Sequence, residues 1–329
     1  MEDKEIFEDL RGLKARRVAI QLPDGLKAKA IEIADRYAKE GFEPVVFSDP
    51  CYGACDLLDH EAKLLGCDAV VQLGHSEFRL KTELPYLFQE VRFSEEVAGM
   101  VKKALPSLKD YKAIGIVTTV QHIGKLADAK KALESAGKKV LVGRHGARTA
   151  YDGQVQGCDF QSAASIQQNV DAFVYVGSGN FHPIGVALYT GKPVVIIDPL
   201  LKEVRDVEAQ KDSLLRQRFA AIELAKGAKS FGILLSTKKG QFRPAEAERA
   251  KGIIEKEGRK AYFLAGRELT PENIEGLKVD ALVNTACPRL ALDDYKRFKV
   301  PVISVPELEM VFGLREWENY KMDNFNREA

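Results

Sequence analysis

The apolar positions of this chain gather in short solid runs rather than alternating with polar ones. Three runs, at residues 17–22, 113–117 and 230–235, each open a similar series. Strands that are apolar throughout belong to parallel sheets with helices on both faces. Each run leads into a stretch of helical period ending near a glycine: Leu26 to Gly41, Ile123 to Gly137 and Ala245 to Gly258. A second strand is predicted at residues 44–47, 139–142 and 261–264. A third opens with Asp-Ala at Asp68, Asp171 and Asp280, and a fourth follows Pro85, Pro193 and Pro301.

Strands that alternate with helices of this length form βαβ units. The recurrence predicts an α/β protein of three repeated small parallel-sheet domains, four strands each, around a pseudo-threefold axis. Residues 1–108 make unit one and 109–227 unit two. Residues 228–329 make unit three with a polar C-terminal tail. Lys202 to Ala225 reads as a long amphipathic helix leading into unit three and as a candidate dimer element. The tail beyond Phe312 is expected to wrap over a neighbour.

Charge narrows the function classes. Lys and Arg number 49 against 48 Asp and Glu, a net charge of +1. That balance argues against a protein dominated by phosphate contacts, so no direct nucleic-acid partner is expected. No apolar run approaches the roughly 18 residues that span a bilayer. The first residues, MEDKEIFEDLRGLKARR, lack the apolar core of a signal peptide. The chain therefore reads as cytoplasmic, with no membrane partner.

The five cysteines are Cys51, Cys55, Cys67, Cys158 and Cys287. So sparse and odd a set is no disulfide framework. Taken singly, each reads most simply as a small buried hydrophobe. Their place in the repeat changes that. Asp68 and Asp171 stand 103 residues apart, and so do Cys55 and Cys158. Each of these cysteines precedes an Asp, in the loop after the second strand. Cys51 and Cys67 have no counterpart. Cys287 breaks the register, aligning with Ser178 and His75 just past the third strand, but it too lies at a strand's carboxyl end.

Open α/β sheets bind ligands beyond those ends. With the three ends turned inward, three thiolates converge and leave one iron of a four-iron cluster free. Thiolate sulfur is the soft donor that iron–sulfur clusters require. That free iron can hold a substrate and act as electron donor or Lewis acid. A structural zinc wants a closed four-ligand site, and no C-x2-C pair supplies one. The stretch from Cys51 begins like a C-x3-C-x2-C motif, but position 58 is Leu.

Three motifs surround these cysteines: SDPCYGACD at 48–56, GCD at 157–159 and NTACPR at 284–289. With QLPDG at 21–25, QHIG at 121–124 and STKKGQ at 236–241, the chain resembles the archaeal diphthamide synthases of the first committed step. Those enzymes are 2-(3-amino-3-carboxypropyl)histidine synthases. The resemblance covers residues 15 to 315. It implies a homodimer whose [4Fe–4S] cluster sits on Cys55, Cys158 and Cys287, one per domain. It also implies an atypical radical use of S-adenosylmethionine, in which the Cγ–S bond breaks. The 3-amino-3-carboxypropyl group then passes to a histidine ring carbon of translation elongation factor 2, with an electron donor as a further partner.

Within that reading, Arg289 is a candidate clamp for the cofactor carboxylate. Ser236 and Gln241 are candidate polar contacts to the cofactor, and His75 a candidate contact at the centre. An alternative is a quinolinate synthase-like iron–sulfur dehydratase, another three-unit α/β enzyme. A further one is a non-catalytic partner in which cluster or thiols serve electron transfer or assembly.

Overall fold

The computed structural model describes residues 3 to 325. The first sheet holds β1 (Arg17–Gln21), β2 (Glu43–Val46), β3 (Ala69–Leu73) and β4 (Tyr86–Gln89), in the order β2-β1-β3-β4. The second holds β5 (Ala113–Thr118), β6 (Lys139–Val142), β7 (Ala172–Val176), β8 (Val194–Asp198) and β9 (Glu203–Asp206), in the order β6-β5-β7-β8-β9. The third holds β10 (Ser230–Ser236), β11 (Lys260–Gly266), β12 (Ala281–Asn284) and β13 (Val302–Ser304), in the order β11-β10-β12-β13. Among these ladders β8–β9 is antiparallel and the rest are parallel. The α/β class and the repeat of the first four strands follow the expectation.

The repeated Asp-Ala has a physical origin. In each unit the Asp carboxylate takes the backbone N–H groups at the entrance of the first strand. Asp68 Oδ2 accepts from Arg16 and Arg17 at 2.7 and 2.9 Å. Asp171 Oδ2 accepts from Lys112 and Ala113, both at 2.8 Å. Asp280 Oδ2 accepts from Lys229 and Ser230 at 3.0 and 2.8 Å. A carboxylate is the acceptor best suited to two donors at once. The glycine that closes each helical stretch is equally local. Gly41, Gly137 and Gly258 have φ of +90°, +81° and +68°, the left-handed exit that glycine adopts without Cβ strain.

The central strands β3, β7, β8 and β12 are buried at every position. Helices Ala30–Lys39, Leu126–Ser135 and Pro244–Lys256 cover the sheets. Helix Asp3–Gly12 adds Ile6, Phe7 and Leu10 to the first core beside Tyr37 and Phe42.

One segment differs from expectation. The long helix runs Glu208–Lys226, because Lys202 to Val207 is taken up by β9 and its turn. It packs Ala221, Ile222 and Ala225 into the core of the third sheet. Its Arg218, fully buried, reaches Glu307 Oε1 and Oε2 at 2.8 and 2.6 Å. The tail of unit three reaches over the neighbouring second unit. Met322 enters the core of the second unit, and Phe325 N–H donates to the Cys158 carbonyl at 2.9 Å. No helix among the described residues is long and apolar enough to cross a membrane.

Candidate active site

The loop after β2 carries Cys51, Tyr52, Cys55 and Asp56. Two buried amides hold it by its carbonyls. Gln21 Nε2 donates to the Asp56 carbonyl at 2.6 Å, and Gln72 Nε2 donates to Gln21 Oε1 at 3.0 Å. Buried polar groups in strands persist where they are hydrogen-bonded, and these two fix the height of Cys55 above the sheet. The loop after β6 carries Cys158. Asp159 ties it down, accepting from the N–H of Arg148 at 3.1 Å and of Gln161 at 2.8 Å. The turn after β12 carries Cys287. Asn284 braces it from both sides: Nδ2 donates to the Cys287 carbonyl at 2.9 Å, and Oδ1 accepts from Ala286 N–H at 3.0 Å.

The loops of Cys55 and Cys158 are joined through the loop after β10. Gly240 N–H donates to the Cys55 carbonyl at 3.2 Å, and Gln241 Nε2 lies 3.4 Å from Cys55 Sγ. Arg148 Nη1 donates to the Gly240 carbonyl at 2.7 Å. A Cβ on Gly240 would lie 2.5 Å from Cys55 Cα, so only glycine permits the approach. All five cysteines are free thiols. Burial pushes Cys55, Cys158 and Cys287 up, the last to about 12, and the Cys158 thiol is pushed further by Cys55 and Cys287.

The donor set fits an iron–sulfur cluster. It is three soft sulfurs from three separate loops, unpaired by disulfides. Among the described residues no three His, Cys, Asp or Glu side chains close on one point as ligands of a single ion do. A four-iron cube asks for something wider, with its ligating sulfurs at separate corners.

Beside Cys287 opens a cleft of about 230 Å³ lined by Tyr52, Lys238, Gln241, Arg267 and Arg289. Gln241 thus touches both the cleft and a thiol. Arg289 is half exposed at the rim, with Nε 2.6 Å from Asp293 Oδ2 and its guanidinium 5.1 Å from the Phe181 ring centroid. Ser236 and His75 stand elsewhere. Ser236 is buried, and its Oγ accepts from Lys238 N–H at 3.2 Å. His75 faces Cys51, with Nδ1 4.0 Å from Sγ, and burial lowers it to about 4. Neither is among the residues lining the cleft. Cys67 sits with Phe47, Leu58 and Val70 in an apolar cluster, the small-hydrophobe role.

Sequence reasoning passed over Lys238. It is 3% exposed, with Nζ 2.9 Å from Asp56 Oδ2 and 2.7 Å from Glu268 Oε1. Asp56 also pairs with Arg267 at 3.0 Å. The signal was present in the Asp that follows Cys55 and in the Lys pair of STKKGQ. It had no meaning until the two loops were seen together. Phe325 was equally hidden: its ring lies 4.7 Å from the Arg148 guanidinium and 4.0 Å from that of Arg243, so the tail closes over Cys158.

Comparison with known proteins bears on this geometry. A Pyrococcus horikoshii 2-(3-amino-3-carboxypropyl)histidine synthase is 39% identical, over 97% of this chain and 92% of its own length. Subunit 1 of the same-named enzyme from Schizosaccharomyces pombe is 30% identical over 95% of this chain and 74% of its own. A crystal structure of Dph2 from Pyrococcus horikoshii with a 4Fe-4S cluster superposes with a TM-score of 0.91 at 38% identity, covering 98% of this chain and 92% of that one. The profile of the diphthamide synthesis protein family matches residues 22–322, and the chain belongs to that family.

Proposed function

We propose that this chain is a 2-(3-amino-3-carboxypropyl)histidine synthase acting in the first step of diphthamide biosynthesis. It takes the 3-amino-3-carboxypropyl group of S-adenosylmethionine and transfers it to a histidine of translation elongation factor 2, by atypical radical chemistry. Cys55, Cys158 and Cys287 hold a [4Fe–4S] cluster, fed by an electron donor. The protein works in the cytoplasm as a homodimer. The observation that supports the reading is the place of three free, half-buried thiols in loops beyond three sheets, with Gln241 beside Cys55 Sγ and lining the cleft together with Cys287 and Arg289. It is supported by the cluster in the Pyrococcus Dph2 crystal structure and by the relatives' names.

A cluster held by Cys55, Cys158 and Cys287 would supply the electron that the cleavage of the cofactor's C–S bond requires. The chain's own groups do the rest. Arg289 presents a planar fork at the rim and anchors the cofactor carboxylate by exchanging it for Asp293. Gln241 donates its amide N–H to Cys55 sulfur, a hydrogen bond of the kind that tunes a cluster's potential. Lys238 is neutralised by Asp56 and Glu268 and ties the Cys55 loop to unit three.

The test is product analysis. Anaerobically prepared protein, reduced with dithionite and mixed with S-adenosylmethionine, should release methylthioadenosine. Release of deoxyadenosine contradicts the proposed cleavage. Quinolinate formed from iminoaspartate and dihydroxyacetone phosphate, without cofactor turnover, would replace this reading by the dehydratase.

A further inference from the structure

The loop that carries Cys158 has little regular structure of its own. Residues 143–160 form isolated bridges rather than a helix or strand, so their shape comes from what they lean on. The end of the chain supplies one support. Phe325 N–H donates to the Cys158 carbonyl at 2.9 Å. Its ring is 1% exposed, 4.7 Å from the Arg148 guanidinium and 4.0 Å from that of Arg243. Arg148 also lies 5.1 Å from the ring of Phe78, in unit one. Its Nη1 donates to the Gly240 carbonyl, and Gly240 N–H donates to the Cys55 carbonyl. A continuous line of contacts therefore runs from the Cys158 carbonyl through Phe325, Arg148 and Gly240 to the Cys55 carbonyl.

Chain ends stay in place only where something ties them down, and this one is tied at several points. Tyr320 OH donates to Glu307 Oε1 at 3.1 Å. Met322 is 4% exposed in the core of the second unit. Asp323 Oδ2 accepts from Arg243 Nη1 at 2.8 Å. Met322 and Asp323 also line a crevice with Asn284 and Pro288, which flank the turn of Cys287. Residues 320–325 thus reach the supports of all three cysteine loops.

We propose that this C-terminal strap is a positioning element for the cluster, and that Phe325 is the positioning residue that sets Cys158 in place relative to Cys55. The inference rests on the reading of Cys55, Cys158 and Cys287 as cluster ligands. A four-iron cube accepts three sulfurs only at its corners, and the groups behind the ligands decide how well they are held there. An irregular loop does not hold such a spacing by itself. Phe325 does so from outside, with its backbone on the Cys158 carbonyl and its ring on the arginine that reaches the Cys55 loop. A phenyl ring suits the place. It asks for no hydrogen-bond partner, and its attraction for a guanidinium strengthens where water is excluded.

The experiment compares the full chain with Phe325→Leu, which keeps apolar bulk but loses the ring, and with Phe325→Tyr, which keeps the ring. Three readings are taken: the decay of the reconstituted cluster in air, the electron paramagnetic resonance signal of the reduced cluster, and hydrogen exchange of the metal-free protein. Phe325→Leu should lose its cluster about fivefold faster or more, with an altered signal. Exchange over residues 143–160 should quicken while β5 and β7 keep the parent's rates. Phe325→Tyr should follow the parent. A merely structural loss would quicken exchange in the strands as well and leave the signal of the folded molecules unchanged, which would count against the proposal. Should Phe325→Leu not fold, Asp323→Asn, which removes the carboxylate holding Arg243 at the ring, should give the same readings. A parent that takes up no iron overturns this inference together with the proposed function. A parent with iron, matched by Phe325→Leu in decay, signal and loop exchange, overturns this inference alone, as does a Phe325→Tyr form no better than Phe325→Leu.

Discussion

Gln241 Nε2 lies 3.4 Å from Cys55 Sγ, although the two residues belong to different sheets. The neighbouring Gly240 makes that approach possible, since its N–H bonds the Cys55 carbonyl at 3.2 Å. Gly240→Ala would place a methyl 2.5 Å from the Cys55 backbone and side chain. Neither backbone can yield cheaply, so the loop of unit three must move away. The expected outcome is a destabilisation of about 1–3 kcal/mol, with a cluster lost more readily than in the parent. Thermal unfolding and the decay of visible absorption in air check both parts.

Among the described residues Arg289 pairs with the Asp293 carboxylate, and it is half exposed. Removing it costs little folding energy, as surface pairs contribute about 0–1 kcal/mol. Arg289→Ala should therefore keep its iron and its melting temperature. Its affinity for S-adenosylmethionine should fall about tenfold or more, the usual value of a charge-assisted hydrogen bond. Isothermal titration reads the affinity; unchanged binding rejects the clamp.

The Arg218–Glu307 pair is buried on both sides. Burial pushes Glu307 up, but the charge and hydrogen bonds of Arg218 outweigh it and hold the carboxyl below its ordinary value. Glu307→Ala leaves an uncompensated cation in the core and should cost about 3–5 kcal/mol. Arg218→Met with Glu307→Leu, which removes both charges, should recover much of that. Urea denaturation of the single and double variants measures the difference.

The three strand-entrance aspartates predict an acid sensitivity. Backbone hydrogen bonds hold Asp68 and Asp171 below the ordinary carboxylate value. Ser230 and the backbone do the same for Asp280. Groups depressed in this way stabilise the fold above their unfolded pKa, about 3.9. That stabilisation is lost as pH falls through the lower folded values. Asp171→Asn should lower the melting temperature at pH 7 and flatten its decline below about pH 4. A parallel decline in variant and parent would remove this carboxylate from the account.

The fold was legible where it depends on near neighbours. Solid apolar runs gave the strands, glycines at φ > 0 the helix ends, and Asp68, Asp171 and Asp280 the repeat. β9 was read as helix because its polar sequence, Glu203 to Asp206, is held by pairing with β8 rather than by its own pattern. At the site, the 103-residue register set Cys55 and Cys158 apart from Cys51 and Cys67. The Lys238–Asp56 pair and the lodging of Phe325 between Arg148 and Arg243 join residues far apart in the chain. No local period encodes such contacts. Ser236 and His75 lie at strand ends as expected, yet face Lys238 N–H and Cys51 rather than the cleft. A strand end fixes a residue's height but not the direction of its side chain.

The central claim is that Cys55, Cys158 and Cys287 hold one cluster. Iron and acid-labile sulfide counted per chain after anaerobic reconstitution test it most directly. The account predicts about four irons in the parent, retained in Cys51→Ala and Cys67→Ala and lost in Cys55→Ala, Cys158→Ala and Cys287→Ala. Loss of iron in Cys51→Ala together with full retention in Cys55→Ala would contradict it.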